Sequence, residues 1–465
     1  MQRFDLIVIG GGPAGYHAAL YAAAKGMSVL LAEARALGGV CLNEGCVPTK
    51  CFLYSAKMLR HVKEANRYGV VGQEGTPVLD QNAVRLRKNK AVKRLTLGVR
   101  NSLKQAGVTV WTERVELQGK SEAGFVVAAG DTEAEGRFVL IATGSSPVIL
   151  PIEGLAAALE RGEAMTSAEA LELTEIPARL LVIGGGVIGL EMAAYFAEAG
   201  SAVTVAEAAP AIAGRSDADI AARLKKTLTK KGIEFLTSST LLSVGQGEAT
   251  IATPEGNRSV VYDKLLLAVG RKPRWEGAGL DRLGVKTERG AVVTDDRMQT
   301  NIKGIYAAGD VNGKSMLAHT AYREGEVAVN NMLGDEDRMS YDAIPAVIYT
   351  DPEVANVGLT AEEAERQGIA YREVVLPMLY SGRYAAEVAD PDAVIRMISD
   401  RETGRVLGCH AIGSYAGEYI AQVAAMMTLG TTTKEGAEVV YPHPTVAELI
   451  RECLIELNRK ESADA

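Results

Sequence analysis

The stretch DLIVIGGGPAG, residues 5–15, decides the fold of the first part of the chain. Asp5 is followed by four apolar residues, 6–9, and this run is typical of a buried parallel strand. The glycines that follow are spaced G-x-G-x-x-G, and a helical pattern comes next. Gly10 permits the tight turn, Gly12 lets the backbone approach a pyrophosphate, and Gly15 allows close packing of helix on strand. The stretch predicts a Rossmann-like unit that binds a dinucleotide.

The same arrangement returns later in the chain as a second copy. An apolar strand again leads into three glycines and a helix, and these glycines are Gly184, Gly186 and Gly189. A further strand in each copy ends in a carboxylate, Glu33 or Glu207, which can accept hydrogen bonds from ribose hydroxyls. Glu207 lies 174 residues after Glu33, the offset that also separates the two glycine motifs. The chain therefore has two predicted dinucleotide sites.

Two cysteines, Cys41 and Cys46, lie between the copies in GGVCLNEGCVPTK, residues 38–50. Thiols at this spacing can close a small, easily reopened disulfide ring if the turn is distorted, which favours redox chemistry. Pro48 fits a first helical turn, so Cys46 lies where the helix dipole favours a thiolate, with Lys50 on the same face. The cysteines alone fit buried apolar packing or half a metal site equally well. Two flanking dinucleotide sites favour an electron relay to a disulfide, and we expect no metal site.

Composition narrows the class of protein. A chain of 465 residues is too long for one core and predicts two to four domains. The net charge of −8 argues against a nucleic-acid partner. No apolar run approaches the ~18 to 20 residues of a membrane span. The first residues lead straight into a strand and leave no room for a signal peptide, so we expect a cytoplasmic protein with no membrane partner.

Residues 81–107 form a strongly basic segment with no acidic residue. Its eight cations are Arg85, Arg87, Lys88, Lys90, Lys93, Arg94, Arg100 and Lys104. The segment could dock an acidic partner. A long helix with a solvated face is the interpretation that the pattern favours.

Other strands end in turns and polar residues that suit a nucleotide site. Two of them close the nucleotide units, and their turns contain Thr143, Gly144 and Gly270. A third apolar strand, residues 305–309, is followed by the carboxylate of Asp310. The next helix begins near Ala318 and His319, and its first amides can be aimed at an anionic group.

From about Ile344 the chain alternates strands and amphipathic helices without a glycine motif, which predicts a separate domain that binds no nucleotide. It ends in YPHPTVAE, residues 441–448, where prolines on both sides restrict the backbone of His443. Thr445 and Glu448 can form a capping box for the last helix. Alternatively, His443 is a catalytic base oriented by Glu448. The spacing alone does not choose between them.

These motifs, taken in order, resemble the flavoprotein disulfide reductase family and, within it, the dihydrolipoamide dehydrogenases. The resemblance rests on residues 10–15, residues 39–50, the second glycine motif with Glu191, residues 308–310, and His443 to Thr445 with Glu448. It implies an α/β fold with two Rossmann-like dinucleotide-binding domains and a C-terminal α+β interface domain for dimerisation. The implied boundaries are 1–146 and 271–343 for the FAD-binding domain, 147–270 for the NAD-binding domain and 344–465 for the interface domain.

The resemblance also implies roles for particular residues, with FAD in the first site and NAD in the second. Cys46 would be the thiol beside the flavin, and Cys41 would exchange with substrate. Lys50, paired with Glu191, would lie near flavin N5. The remaining implied roles are Glu33 on the FAD ribose, Asp310 on the ribitol, Ala318 and His319 at the negative charge of the flavin ring, and His443 as a base oriented by Glu448.

The implied reaction passes electrons from dihydrolipoyl groups, through a Cys41–Cys46 disulfide and FAD, to NAD⁺. The implied partners are a lipoylated carrier protein or free lipoamide, and a second copy of the chain in a homodimer with shared active sites. A 2-oxoacid dehydrogenase or glycine cleavage complex is the implied setting.

Three alternatives remain. A glutathione-type reductase is disfavoured because such enzymes prefer NADP and carry arginines after the second ribose-binding strand, where Ala-Ala-Pro follows Glu207 here. A mercuric reductase usually ends in adjacent cysteines, whereas only Cys453 lies near this C-terminus. A non-catalytic flavin-containing scaffold or sensor would not need Cys41, Cys46 and His443 together.

Two residues depart from the family pattern. Cys51 lies five residues after Cys46, about 140° round a helix, and is expected to face away as packing. Glu44 places a carboxylate between the two cysteines, where it could raise their pKa values.

Overall fold

The computed structural model of the protein describes residues 1–72, 75–214, 216–388 and 390–464. The helices, in chain order, are α1 (Pro13–Ala24), α2 (Gly39–Glu44), α3 (Cys46–Lys63), α4 (Gln81–Gln105), α5 (Leu155–Glu160), α6 (Ser167–Ala170), α7 (Val187–Ala199), α8 (Ala218–Lys230), α9 (Ala318–Leu333), α10 (Ala361–Arg366), α11 (Gly382–Glu387), α12 (Ala416–Leu429), α13 (Thr433–Ala437) and α14 (Glu448–Asp464). Within the described ranges, no helix is long and apolar enough to cross a membrane.

The strands fall into groups that follow the chain. The first group is β1 (Gln2–Ile9), β2 (Val29–Ala32), β3 (Thr109–Trp111), β4 (Glu116–Lys120), β5 (Phe125–Ala129), β6 (Thr132–Ile141) and β7 (Ser145–Pro147). The second is β8 (Ala164–Met165), β9 (Arg179–Ile183), β10 (Ala202–Ala206), β11 (Ile233–Leu236), β12 (Thr240–Val244), β13 (Glu248–Thr253), β14 (Gly256–Val261), β15 (Lys264–Leu267) and β16 (Arg271–Pro273). The last is β17 (Thr287–Glu288), β18 (Ala291–Val292), β19 (Ile305–Ala307), β20 (Ala346–Ile348), β21 (Val354–Gly358), β22 (Tyr371–Pro377), β23 (Val394–Asp400) and β24 (Val406–Ile412).

The first sheet joins strands that are distant in sequence. Its parallel part has the order β3-β2-β1-β6. The free edge of β6 is shared, because residues 132–136 pair with β5 in antiparallel fashion and residues 139–141 pair with β19 in parallel. β19 therefore returns to the first sheet after the second one has been completed in sequence.

The second sheet is parallel throughout and has the order β11-β10-β9-β15-β8. Its central strands are apolar along their length because α7 and α8 cover one face, while α5 and the strands β12 to β14 cover the other. An antiparallel meander, β12-β13-β14, lies in the chain between β11 and β15 of this sheet. The predicted α/β fold with two Rossmann-like units is confirmed.

Both glycine turns require glycine for the same steric reason. Gly10 has φ of 108°, and a Cβ there would lie 2.2 Å from the carbonyl oxygen of Ala142. A Cβ on Gly15 would lie 1.8 Å from the Gly10 oxygen, so α1 could not pack on the turn. Gly184 has φ of 109° and faces the Ala268 oxygen at 2.4 Å in the same way. The sequence repeat is therefore a repeat of backbone geometry.

The C-terminal domain is an antiparallel sheet, β20-β21-β24-β23-β22, with α12 and α14 packed on it. Its core is apolar, with buried side chains that include Ile395, Met397, Cys409, Val423 and Leu454. The strands that the sequence predicted here are present. The last helix, α14, begins at Glu448 and continues to Asp464.

Helix α4 matches the predicted basic segment, but one of its cations is not solvated. Lys88 is 1% exposed, and its Nζ donates to the Leu171 carbonyl oxygen at 3.0 Å and pairs with Glu172. The prediction of a solvated face is therefore wrong at Lys88. This side chain fastens α4 to the second nucleotide-binding unit, since Leu171 and Glu172 lie just after α6.

We expect Lys88→Glu to destabilise the protein by about 3 kcal/mol or more, because it removes the buried cation that pairs with Glu172 and buries a second carboxylate beside it. Lys90→Glu on the exposed side of α4 should change stability by no more than about 0.5 kcal/mol. Thermal unfolding of the two variants beside the parent checks this, and equal Tm values for the two would contradict it.

Candidate active site

Cys41 and Cys46 lie on two different helices, α2 and α3, separated by Gly45. In one regular helix their side chains would diverge by about 140°. The helix breaks at Gly45, and the two thiols meet and share a hydrogen bond. A Cβ on Gly45 would lie 2.9 Å from the Val40 carbonyl oxygen, so only glycine allows the two helices to approach this closely at the break. This break supplies the distorted turn that the cysteine spacing requires.

The two thiols have opposite acidities. The hydrogen bond from Cys41, aided by the Lys50 ammonium, lowers the pKa of Cys46 to about 7 and outweighs the opposing desolvation of its thiol. The pKa of Cys41 is raised, first because its proton is held in that hydrogen bond and then by burial. Cys46 is also the first residue of α3, where the helix dipole favours a negative charge. The reduced pair is therefore a Cys46 thiolate beside a Cys41 thiol near neutral pH.

Lys50 is held by residues from two other parts of the chain. Its Nζ lies 2.9 and 3.1 Å from the two carboxylate oxygens of Glu191 on α7. The Tyr349 backbone N–H donates to Glu191 at 3.0 Å, and Lys50 Nζ lies 4.2 Å from the centroid of the Tyr349 ring. The predicted Lys50–Glu191 pair is thus present. Tyr349 was missed, since an aromatic residue after a short strand gives no signal in the sequence.

The two carboxylates that the sequence predicts to bind ribose each accept hydrogen bonds from the glycine turn of their own unit. Glu33 accepts from the N–H groups of Gly11 and Arg35, both at 2.7 Å. Glu207 accepts from the equivalent N–H groups 174 residues later, at 2.6 and 2.7 Å. Each carboxylate is only partly buried and has lone pairs left for ribose hydroxyls. Gly10, Glu33 and Thr143 line one cavity, so the structure brings together these predicted residues of the first site.

Helices α1, α7 and α9 all begin without a side-chain cap, after Gly12, Gly186 and Leu317 respectively. Their first backbone N–H groups can therefore donate hydrogen bonds to an anionic group. Ala318 is the first residue of α9, as predicted. His319 bonds through Nε2 to the Pro345 carbonyl oxygen at 2.8 Å, and burial lowers its pKa. These helix starts fit two dinucleotides and a reduced flavin ring.

Asp310 belongs to a small polar network that the sequence did not reveal. Its Oδ2 accepts from the Ser145 hydroxyl, which in turn accepts from Arg271 Nε at 2.7 Å. Ser145 follows the turn of Thr143 and Gly144, and Arg271 follows Gly270, so the turns named from the sequence lie beside this network. The adjacent small-residue turns were the available signal.

His443 and Glu448 are joined as predicted, and both interpretations of Glu448 hold in part. One of its oxygens lies 2.8 Å from His443 Nδ1, and the other accepts from the Thr445 N–H at 2.7 Å. The Thr445 N–H is the main cause that lowers the pKa of Glu448. The Thr445 hydroxyl bonds to the Pro442 carbonyl oxygen at 2.9 Å, so the capping box is only half formed.

His443 is 78% exposed within one chain. Across the described ranges, no hydrogen bond or ion pair links His443 to Cys41 or Cys46. Within a single chain, the described contacts therefore join Cys41 with Cys46 and His443 with Glu448, but do not join these two pairs.

The Glu44 carboxylate forms a two-point ion pair with Arg35, at 2.9 and 2.8 Å, and is not among the largest causes that shift the pKa of either cysteine. Cys51 is partly buried, and burial raises the pKa of its thiol.

Comparison with known proteins identifies the class. A model of the pyridine nucleotide-disulphide oxidoreductase family matches residues 4–325, and a model of that family's dimerisation domain matches residues 344–454. The chain belongs to this family.

Similar proteins match along nearly the whole chain. A dihydrolipoyl dehydrogenase of Thermus scotoductus is 38% identical, over 99% of this chain and 98% of its own. One from Trypanosoma brucei brucei is also 38% identical, over 97% and 95%. The crystal structure of LpdA from Mycobacterium tuberculosis has a TM-score of 0.90 at 28% identity and covers 98% of this chain and 100% of its own. The HOCl-induced flavoprotein disulfide reductase RclA from Escherichia coli has a TM-score of 0.84 at 27% identity, over 97% and 99%.

The protein is thus an oxidoreductase that acts on disulfides with FAD and NAD as its cofactors, and it carries a dimerisation domain. The glycine turns, ribose carboxylates and uncapped helix starts fit both cofactors.

We expect Tyr349→Leu to raise the pKa of Cys46 by about half to one pH unit, because Lys50 loses the ring that holds its ammonium. Tyr349→Phe keeps the ring and the backbone N–H and should leave the pKa unchanged. The long-wavelength thiolate-to-flavin absorbance of the two-electron-reduced holoenzyme, titrated through pH 7, reports this pKa. A Tyr349→Leu protein that titrates like the parent would remove the role of the ring.

Proposed function

We propose that the protein is a dihydrolipoyl dehydrogenase, which oxidises a dihydrolipoyl group and reduces NAD⁺. The observation that carries the proposal is the Cys41–Cys46 pair, with its Cys46 thiolate at the start of α3 beside Lys50. Relatives with that name match the chain over almost its full length. The substrate would be a dihydrolipoyl group on a carrier protein or free dihydrolipoamide, within a 2-oxoacid dehydrogenase or glycine cleavage complex.

The reaction on sulfur follows from the acidities of the two cysteines. Glu448 binds Nδ1 of His443 and leaves Nε2 to accept a proton from a substrate thiol. The resulting thiolate attacks Cys41 Sγ of the oxidised pair, and Cys46 leaves as a thiolate, favoured by its low pKa. The second substrate thiol then attacks the mixed disulfide, releasing lipoyl disulfide and the Cys41 thiol. When bound, FAD supplies the acceptor for this electron pair and NAD⁺ the final hydride acceptor.

We assign the cofactor sites to residues on this basis. FAD would be held between residues 1–146 and 271–343 by Gly10, Gly12, Gly15, Glu33, Lys50, Thr143, Gly144, Asp310, Ala318 and His319. NAD would be held within residues 147–270 by Gly184, Gly186, Gly189, Glu207 and Gly270. The support is the shared geometry of the two turns and the uncapped starts of α1, α7 and α9.

A parallel turnover assay tests the function. Lipoamide, glutathione disulfide and mercuric ion are each offered with NADH and with NADPH, and dihydrolipoamide is offered with NAD⁺. The expected result is the highest kcat/KM for lipoamide with NADH. Faster reduction of glutathione disulfide or mercuric ion would reject the proposal.

Glu207 should select NAD over NADP, because its carboxylate accepts from ribose hydroxyls but repels a 2′-phosphate. We expect Glu207→Arg to shift the kcat/KM ratio toward NADPH by at least about tenfold. Glu207→Gln keeps an oxygen for the Gly185 N–H and removes only the charge, so it should shift the ratio less. Comparable kcat/KM for NADH and NADPH in the parent would contradict this role.

Each active site should combine two chains, with the cysteines from one and His443 from the other. Support comes from the lack of a hydrogen bond or ion pair between the two groups among the described residues of one chain, the exposure of His443 and the dimerisation domain that carries it. A two-fold contact would make the two sites identical.

A heterodimer of a Cys46→Ser chain with a His443→Gln chain tests the sharing. If the sites are shared, one site of the heterodimer contains both substitutions and the other contains neither. About half of the parent activity per dimer should then be measured, although each variant homodimer is inactive. A Cys46→Ser/Cys41→Ser heterodimer is the control and should remain inactive, since each of its sites keeps one altered cysteine. Activity no higher than that control would place each site within a single chain.

A further inference from the structure

Six of the eight cations of α4 are exposed, the exceptions being the buried Lys88 and the half-buried Arg85, which both pair with Glu172. The exposed six are Arg87, Lys90, Lys93, Arg94, Arg100 and Lys104. No carboxylate occurs in residues 81–107, although the chain as a whole has a net charge of −8. The charge of this surface is therefore positive, opposite in sign to the net charge of the protein.

These cations are also unpaired. Elsewhere, exposed cations commonly meet carboxylates, as in Arg35–Glu44, Arg179–Asp263 and Lys226–Asp392. In the part of the chain that the structure describes, none of the six exposed α4 cations forms an ion pair; Arg87 binds the Cys51 carbonyl oxygen instead. Their charge is thus available to an external anion.

Four of the cations lie on one side of α4 together with two leucines. Leu86, Lys90, Lys93, Leu97, Arg100 and Lys104 follow one another at alternating spacings of four and three residues, which places them along one face. This basic stripe is about 27 Å long at 1.5 Å per residue. Leu86 and Leu97 are 48% and 44% exposed, and apolar side chains among unpaired cations suit a protein contact better than a purely solvated face.

The helix lies close to the cysteines. α4 packs against α1, α2 and α3, the first glycine-turn helix and the two helices that carry Cys41 and Cys46. Its opposite side is anchored, because Leu103 is buried in the core of the first unit and Lys88 is bound to the second. The basic stripe is therefore a fixed surface on the helices around the reacting sulfurs.

We propose that the basic stripe docks an acidic protein domain that carries the dihydrolipoyl group, an inference that rests on the proposed function. A protein is the favoured occupant because Leu86 and Leu97 lie exposed among the cations, and apolar side chains pack against a protein surface rather than against phosphates. Opposite charge on the carrier would raise the rate of encounter without being needed for the chemistry at Cys41. Free dihydrolipoamide, which is small and uncharged, would not use the stripe.

The test uses the holoenzyme dimer and a triple variant, Lys90→Glu with Lys93→Glu and Arg100→Glu. The probes are an isolated acidic dihydrolipoyl domain, the same domain with surface Asp and Glu changed to amides, and free dihydrolipoamide. The matched control reverses three exposed lysines elsewhere, Lys25→Glu with Lys120→Glu and Lys286→Glu, for the same change in net charge.

For the acidic domain, the triple variant should lose at least about tenfold in kcat/KM at low salt, and the difference from the parent should shrink as salt rises. Its activity on free dihydrolipoamide and on the neutralised domain should stay within about twofold of the parent, and the control should resemble the parent on all three probes.

Equal losses in the triple variant and the control would overturn the docking surface, as would unchanged kcat/KM for the acidic domain. Conversion of the triple variant to a monomer in light scattering would assign the stripe to contact with a second copy. Loss of binding to phosphatidylserine vesicles or single-stranded RNA, with no change for the carrier domain, would assign it to those anions. If the parent does not oxidise free dihydrolipoamide, the proposed function itself fails.

Discussion

Glu191 is a nearly fully buried carboxylate, and the site depends on how its charge is met. A buried charge is tolerated only when it is paired and hydrogen-bonded. Lys50 on α3 supplies the paired cation, and the Tyr349 backbone N–H donates a hydrogen bond. A carboxylate on α7 thereby holds three distant parts of the chain together at one point. Lys50 is thereby held where its ammonium favours the Cys46 thiolate. Acidity at the reacting sulfur is a result of tertiary packing as well as of position on the helix.

Much of the fold was legible from the sequence because its signals are local. The glycine turns, the strands before them and the carboxylates Glu33 and Glu207 lie within segments of about thirty residues, and steric rules connect them directly to a Rossmann unit. The prediction that a helix begins near Cys46 also rested on neighbouring residues in the sequence. The structure adds the break at Gly45, which is what lets two cysteines so spaced share a hydrogen bond.

The residues that sequence reasoning missed depend on contacts between distant segments. Tyr349 lies 158 positions from Glu191, and nothing near it marks the contact. Lys88 looked like its basic neighbours on α4, but the carbonyl that binds it belongs to a segment 83 positions away. From the sequence, Glu44 could raise the pKa values of the cysteines, but in the structure its carboxylate is paired with Arg35. In each case the side chain's identity was known, and the partner that determines its behaviour was not.

The shared edge of β6 has a consequence for the order in which the protein assembles during synthesis. Every strand of the second sheet lies between residues 164 and 267, so that sheet can be completed before residues 305–307 leave the ribosome. The first sheet begins at residue 2 but must wait for β19 to cover residues 139–141 of β6. The N-terminal unit is thus the first to be made and the later of the two to be finished, and its uncovered strand edge must remain unpaired while the second unit forms.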